Sequence, residues 1–583
     1  MFELYLKSKL LEAGGESFVG KRFLVALDTD HIKQYVFATD KLKEIRGASS
    51  ILDALNRREM TRIAQEVGAE KVYANGGSGQ FLIHGDEETA REFGRRIQQV
   101  YQDRTSGGAS ITFALEEIPE TIPEQGIETN PDLHPYLRLL QYRLLHEKGY
   151  PHQESEVLPS HPLMRLCDAC GIHYAEDTYK GEGSDPEDQE RRYCNICLRK
   201  RSEDHNAKTK IKEIVTERSY TGEVKPSKKN PFAWEKLIGK LPDTYWLPVG
   251  TDRPADFNKF QRFSNGYLGL IYADANSMGE ILDKLATVQE HKEMAEVVDD
   301  AVYTAMSAAI AAHLPVVKGD GDTPWMFKFD VLMIGGDDII VVTPADVALD
   351  VALTLAETFH KETKTNDIRP EKNGCNLSIG IVLAPVKYPF GLLQDLAEST
   401  LKFAKKAVAK NPPKTDYGDT VINFMTVTGS NSLNFNKVYD SLHKKTNDGR
   451  NPAFYATLRP YSVEELTELL KMIREGRQKR LGRTKLHQIR EAVLRMNLTT
   501  SVSEGLAVLS NWRGKQREFV VEEFYKLAGR HQEQHRDVEK PGTLFQRVTF
   551  PWFADGPHTY RTPLLDFVEL YDFVAQEEVE DAK

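Results

Sequence analysis

No stretch of the chain approaches the ~20 consecutive apolar residues that a membrane-spanning helix needs. The N-terminus, Met1-Phe2-Glu3-Leu4-Tyr5-Leu6-Lys7, lacks the basic, then apolar, then small-residue order of a secretory leader. A cytoplasmic protein with no membrane partner is the expectation. Cysteine is scarce, five in 583 residues, which argues against a disulfide-built scaffold. There is no His-Glu-x-x-His run and no Walker A sequence, so neither a zinc protease of that type nor a P-loop nucleotidase is expected. The absence of any His-Asp dipeptide argues against a phosphohydrolase of the HD type. A basic excess is missing too. The net charge is −11, whereas a chain whose main task is to coat nucleic acid is usually basic overall. RNA would then be held on a local patch or through partner subunits.

At roughly 100–200 residues per domain, the length suggests about three to five units. Arg22 to Leu27 is a short apolar run ending at Asp28. Helical segments are expected from Ile32 to Asn56 and near 60–67. Two apolar runs then flank Gly76-Gly77-Ser78-Gly79, the signal of a hairpin. A helix over 87–104 and a strand over 110–117 complete an α+β unit, and a further helix is expected near 134–148.

The same order returns later. Tyr267 to Ala273 is a strand ending at Asp274. Helices follow from Ser277 and over 291–313. A hairpin turns at Gly335-Gly336-Asp337-Asp338. A helix at 345–363, a strand at 375–384 and a helix at 391–409 come next. Strand–helix–helix–hairpin–helix–strand therefore occurs twice, at 22–117 and 267–384. We read this as an internal duplication with one divergent copy. From about 430 the chain is expected to be mostly helical, with amphipathic spacing near 461–475, 483–497, 503–512 and 516–530. Residues 219–231 read as an exposed linker, and the acidic tail after Gln576 as frayed.

The second copy carries the chemistry. If its strands are neighbours, Asp274, Asp337 and Asp338 converge at one sheet edge. Three carboxylates suit Mg2+ or Mn2+, which take oxygen ligands and complete their shell with water and substrate phosphates. Two such ions, ~3.5–4 Å apart, serve phosphoryl transfer. Gly335 and Gly336 meet the demand of a tight turn for positive φ and let a nucleotide approach the backbone. Ala275, Asn276, Ser277 and Gly279 would place backbone N–H groups at a helix start beside the phosphates. Lys405 and Lys406 would neutralise phosphate charge, although lysines late in a helix also favour its dipole. An acidic hairpin turn alone is usually just solvated. The combination with an Asp-ended strand and a lysine helix is what makes it a candidate site. The first copy has Asp28 and Asp30 but no carboxylate pair on its hairpin, so a two-metal site is not expected there; it would help hold a second nucleotide or, the favoured reading, serve only as a packing partner.

Cys167-Asp168-Ala169-Cys170 and Cys194-Asn195-Ile196-Cys197 are two C-x-x-C knuckles. Four thiolates so spaced suit a closed tetrahedral Zn2+ site, which is structural because no position is left for water. Cys375, in an apolar strand, reads as core. The basic run from Arg474 to Arg495 reads equally well as an RNA contact or a solvated face. Lys225, Lys228 and Lys229 read as solvated.

These features together resemble the CRISPR polymerase, the large subunit of type III CRISPR effector complexes. The resemblance covers about residues 20 to 530. It rests on Lys43-Glu44-Ile45-Arg46-Gly47-Ala48-Ser49, the four cysteines, Tyr272-Ala273-Asp274-Ala275-Asn276, Gly335-Gly336-Asp337-Asp338 and Ser378-Ile379-Gly380-Ile381. It implies two ferredoxin-like, adenylyl cyclase-like palm domains, a zinc segment and a helical C-terminal domain. In this chain those would be 1–155 and 261–425 for the palms, 156–260 for the zinc segment and linker, and 426–583 for the helical domain. It implies conversion of ATP into cyclic oligoadenylates when the complex, with its guide RNA, binds a matching target RNA. The products would activate ancillary nucleases or other effectors. Asp274, Asp337 and Asp338 would be the metal-binding and catalytic carboxylates. Many members carry an N-terminal HD nuclease domain; its motif is missing here, and no DNase activity is expected from this chain. Two rivals remain at this point. A diguanylate cyclase would use GTP, but its turn typically ends in Phe where Ile339 stands. A non-catalytic RNA- or protein-binding scaffold would leave the second palm vestigial.

Overall fold

A computed structural model describes residues 21–119, 122–124, 127–129, 133–149, 163–181, 190–224, 231–319, 324–369, 371–429, 434–444, 452–535, 548–556 and 558–575. The expected frayed tail, Lys225, Lys228 and Lys229 lie outside them.

In the first unit, β1 (Arg22–Thr29), α1 (Leu42–Ala54), β2 (Glu70–Asn75), β3 (Ser78–His84), α2 (Glu87–Thr105), β4 (Ile111–Ile118) and α3 (His134–Gly149) follow in order. The strands form one sheet in the order β2-β3-β1-β4. After the cysteines, Asn195–Thr221 forms one long helix, α4. The second unit holds β5 (Tyr267–Ala275), α5 (Val288–His313), β6 (Asp330–Gly335), β7 (Asp338–Pro344), α6 (Ala348–Thr365), β8 (Leu377–Pro385), α7 (Phe390–Lys410) and β9 (Val421–Thr426). Its sheet runs β6-β7-β5-β8-β9, with Tyr461–Ser462 (β10) added at the edge. The first four places repeat the strand order of the first sheet, so the duplication is a fact of topology as well as of element order.

The second sheet is apolar on both sides because both sides are covered. Ile271, Ala273, Ile339, Val341, Ile379 and Ile381 pack under α5 and α6. Leu270, Tyr272, Ile340, Val342 and Val382 join a second core shared with α7 and with Val25, Leu27 and Ile45 of the first unit. At ~1.5–3 kcal/mol for each fully buried aliphatic side chain, this shared core is a substantial bond between the two units. Asp274 and Asp338 sit on the same sheet face as Tyr272 and Ile340 by strand alternation, so both look toward the first unit.

Helices α8 (Val463–Gln478), α9 (Arg483–Leu494), α10 (Leu498–Ser510) and α11 (Gly514–His535) form the helical C-terminal region. Two expectations need amending. The start of the supposed linker, 219–221, belongs to α4. The C-terminal region also contains a sheet of five strands, each of two to five residues, among them Ala453–Tyr455 and Trp552–Gly556. No helix of the described residues is long and apolar enough to cross a membrane.

Candidate active site

The hairpin between β6 and β7 closes with Gly335 paired to Asp338. Gly336 has φ 62°, a conformation that costs an L-residue ~1–2 kcal/mol. Ile339 pairs with Ala273 in the neighbouring β5, so Asp338 falls directly opposite Asp274. Asp337 occupies the turn and lies close enough to Asp274 to feel its charge. The three predicted carboxylates are thus brought to one edge. Burial, then Asp274, pushes Asp337 up to about 6; burial, then Asp274 and Asp337, pushes Asp338 up to about 8. Crowded acids of this kind hold protons unless a cation joins them. Their hard oxygen donors fit Mg2+ or Mn2+.

The predicted nucleotide-binding residues fare differently from one another. Lys405 reaches the edge, but its ammonium donates to the Asp274 carboxylate and, at 2.9 Å, to the Ala275 carbonyl. Lys406 is exposed on another side of α7. Asn276 is buried, and its side chain accepts from Ser378 Oγ at 2.7 Å and donates to the Asp419 carbonyl at 3.1 Å. It braces strands β5 and β8, and its backbone N–H is taken as well, donating to the Asn376 carbonyl at 2.8 Å, so the phosphate donor expected at this position is already spent. Ser277 adopts φ 53° and starts a helix of five residues, Met278–Leu282. Gly279 faces open space.

Lys33 of the first unit was not among the expected residues. It bonds Glu398 of α7 at 2.9 Å, lies 5.0 Å above the Tyr272 ring and acts electrostatically on Asp338. It comes from a separate unit through tertiary packing, so no motif marks it.

The first hairpin meets the second tip to tip. A Cβ on Gly76 would stand 3.0 Å from the Gly335 carbonyl oxygen. The register also amends the sequence alignment. Asn75 pairs with Ser78 across Gly76 and Gly77, while Gly79 lies within β3. Asn75-Gly76-Gly77-Ser78 therefore corresponds to Gly335-Gly336-Asp337-Asp338. Asp28 sits opposite Ser78, in the place of Asp274. Its charge is met by Lys148 at 2.5 Å, and Asp30 is held by Ser110 and Thr112. The first copy thus keeps the frame of the site with its aspartates already partnered.

The four cysteines close on one point. Their Sγ atoms all lie within 4.8 Å of one another, with Cys170 and Cys194 at 3.9 Å. Gly171 at φ 66° turns the first knuckle, and its N–H donates to the Cys167 carbonyl at 2.9 Å. The second knuckle opens α4, with Cys194 as its N-cap. Four thiols at this spacing fit tetrahedral Zn2+, whose Zn–S bonds of ~2.3 Å place the sulfurs just under 4 Å apart.

Residues 267–412 match the family model described as the second palm domain of Cas10/Cmr2. Over 168 residues the chain is 27% identical to the CRISPR system Cmr subunit Cmr2 of Pyrococcus furiosus, covering 26% of this chain and 18% of that one. Residues 267–412 are thus a second palm domain of the Cas10/Cmr2 type. The fold of the whole chain resembles that of a chain in the Csm1–Csm4 cassette solved with one ATP, at TM-score 0.51, 14% identity and 97% and 72% coverage of the two chains. The same cassette solved with cA4 gives TM-score 0.50 at 15% identity, covering 83% of this chain and 64% of that one. The match to Cmr2 therefore spans under a fifth of its length, and the match to the cA4-bound cassette just under two thirds.

Proposed function

We propose that this chain is the nucleotidyl cyclase of a type III CRISPR antiviral complex, converting ATP into cyclic oligoadenylates when target RNA pairs with the guide RNA of the complex. The observation that carries the reading is the placement of Asp274, Asp337 and Asp338 on one edge, facing the tip of a second, carboxylate-poor palm. The names of the similar structures, an ATP-bound and a cA4-bound cassette, support the choice of substrate and product.

In each transfer a ribose 3′-oxygen forms a bond to the α-phosphorus of a second ATP, the bond to the β-phosphate breaks and pyrophosphate leaves. The proton of the 3′-hydroxyl passes to solvent. Ring closure repeats the step within one chain. Mg2+ or Mn2+ at the three aspartates, two ions per site, would supply charge neutralisation and alignment of the reacting oxygens. Gly336 supplies the positive φ of the turn and keeps it free of a Cβ where it faces Asn75 and Gly76 of the first hairpin, and Gly279 leaves its side open. Lys405 exchanges Asp274 for phosphate oxygens, and Lys33 adds positive charge from the first palm. Such fixed charges act strongly in a cleft that excludes water. The four cysteines hold a structural Zn2+. Other type III subunits supply most of the contact with guide and target RNA.

The test offers ATP and GTP separately to the assembled complex, with and without target RNA, and separates the products by chromatography. Cyclic adenylates from ATP, dependent on RNA, are expected; products from GTP alone would identify a diguanylate cyclase-like enzyme. The double substitution Asp337→Ala, Asp338→Ala should abolish product and leave RNA binding intact. Product formation by that variant would remove the site assignment.

A further inference from the structure

The C-terminal region carries a second convergence of ligand atoms, far in sequence from the palm edge and free of cysteine. Among the described residues, two groups of His, Cys, Asp or Glu bring three or more ligand atoms within 4.8 Å of one another: the four thiols, and Glu465 with His531 and His535. The histidines stand four apart near the end of α11, and so share one helix face. The run His531-Gln532-Glu533-Gln534-His535 lacks a Glu after its first His, and a search for the zinc-protease pattern passes over it.

The geometry is more than an ion pair. One oxygen, Glu465 Oε1, faces both imidazoles, with His531 Nδ1 at 2.6 Å and His535 Nε2 at 3.6 Å. The glutamate is fully buried and His531 is 4% exposed. His535 Nε2 is buried with no hydrogen-bond partner, a state that ordinarily costs ~1–3 kcal/mol. The other glutamate oxygen is fixed, accepting from the Ser462 N–H at 2.9 Å in the capping box of α8. That is the kind of outer contact that orients a metal ligand.

We propose that Glu465, His531 and His535 form a second metal site for a borderline divalent cation such as Zn2+, with water as fourth ligand. Two imidazoles and a carboxylate are a zinc donor set. A cation at their common point would satisfy the orphaned ring nitrogen and replace the short Glu465–His531 contact. Its role would be to staple elements. Glu465 opens α8, the histidines close α11, and Ser462 lies in β10, which pairs with β9 at the edge of the palm sheet. Next to the site, Ser462 Oγ donates to Gln534 Oε1 at 2.7 Å, and the Lys414 N–H donates to the Gln534 carbonyl at 3.0 Å. The cation would thus fasten the helical region to the catalytic palm.

Cobalt(II) distinguishes the sites in the full-length protein carrying Asp337→Ala and Asp338→Ala, which serves as the parent because it removes the carboxylate pair of the palm edge as a competing cobalt site. A four-thiolate site gives intense sulfur-to-cobalt charge transfer; a two-histidine, one-carboxylate site gives only weak d–d bands. We expect a second equivalent of cobalt that adds no charge-transfer intensity and raises Tm. His535→Ala, at the less deeply buried end of the cluster, should lose that second equivalent and the Tm rise while keeping the thiolate bands. Glu465→Gln, which preserves a capping-box side chain, should do the same. The proposal is overturned if the parent binds cobalt through thiolates alone, leaving a plain His–Glu ion pair, or if His535→Ala keeps the second equivalent.

Discussion

Asp338 concentrates the electrostatics of the site. Its carboxyl is pushed up to about 8, and that of Asp337 to about 6, by burial first and neighbouring carboxylates next. A free aspartate titrates near 3.9. Between that value and the raised ones, the folded chain binds more protons than the unfolded chain. Stability from these groups is therefore full below about pH 4 and lost as the pH rises through 6 to 8. Asp338→Asn removes a charge that the fold resists. Its Tm should exceed that of the parent by a margin that grows between about pH 5 and pH 9, read by calorimetry without added divalent ions. Cation binding has the opposite sign, because the ligands must be ionised. Mn2+ affinity, followed by the loss of its free-ion magnetic resonance signal, should climb from pH 6 to pH 8. A flat profile would mean that the carboxylates are already ionised.

At the scale of elements, the run from Lys43 to Ser49 acquires a physical meaning. In the sequence it serves only as part of a resemblance. In the fold, Glu44 bonds Arg201 at 2.7 Å, and Arg46 meets both Asp204 and Asp330 at 3.0 Å, all of them buried. Gly47 lets α1 press on α4, since a Cβ there would stand 1.7 Å from the Lys200 carbonyl oxygen. The obstacle is backbone and cannot rotate away. Gly47→Ala should therefore cost about 3 kcal/mol, the upper end of ordinary overpacking, seen as a clear drop in Tm. An unchanged melt would mean that the helices are not in contact there. The same interface explains why α4 escapes sequence reading. Its buried side carries Lys200, Arg201, Asp204 and Arg218, so apolar periodicity fails. Strands β5 to β8 and helices α5 to α7 are legible because their buried positions are apolar and regularly spaced. The small C-terminal sheet is not, because strands of two to five residues are too short to display alternation. The three aspartates could be read from their places beside apolar strands. Lys33, and the bond from Lys405 to Asp274, depend on packing between units that no local pattern encodes.

For the whole molecule, the decisive relation is that of one palm to the other. Buried charges lock it. Arg46 bonds Asp330, the first residue of β6. Arg57 bonds Asp299 of α5 at 2.8 Å and the Tyr303 hydroxyl at 2.9 Å. Removing one partner of such a buried pair typically costs 3–5 kcal/mol, so the palms do not easily yield to a local intrusion. A side chain placed between the two hairpin tips should then displace the tips rather than the domains, and the displaced tip is the one that bears Asp337. Gly76 and Gly68 make a matched test. Both lie at positive φ, 58° and 69°, so valine at either carries the same kind of backbone strain, ~1–2 kcal/mol. A Cβ at Gly68 meets nothing within 4 Å, whereas at Gly76 it meets the Gly335 carbonyl at 3.0 Å. Gly68→Val and Gly76→Val should therefore lower Tm by similar amounts. Only Gly76→Val should slow product formation from ATP, by about tenfold to a hundredfold, the scale of a displacement of ~1 Å at a reacting centre. If the two variants lose activity equally, strain in the first palm is responsible and the tip-to-tip contact has no part in catalysis. If neither loses activity, the second palm works without guidance from the first.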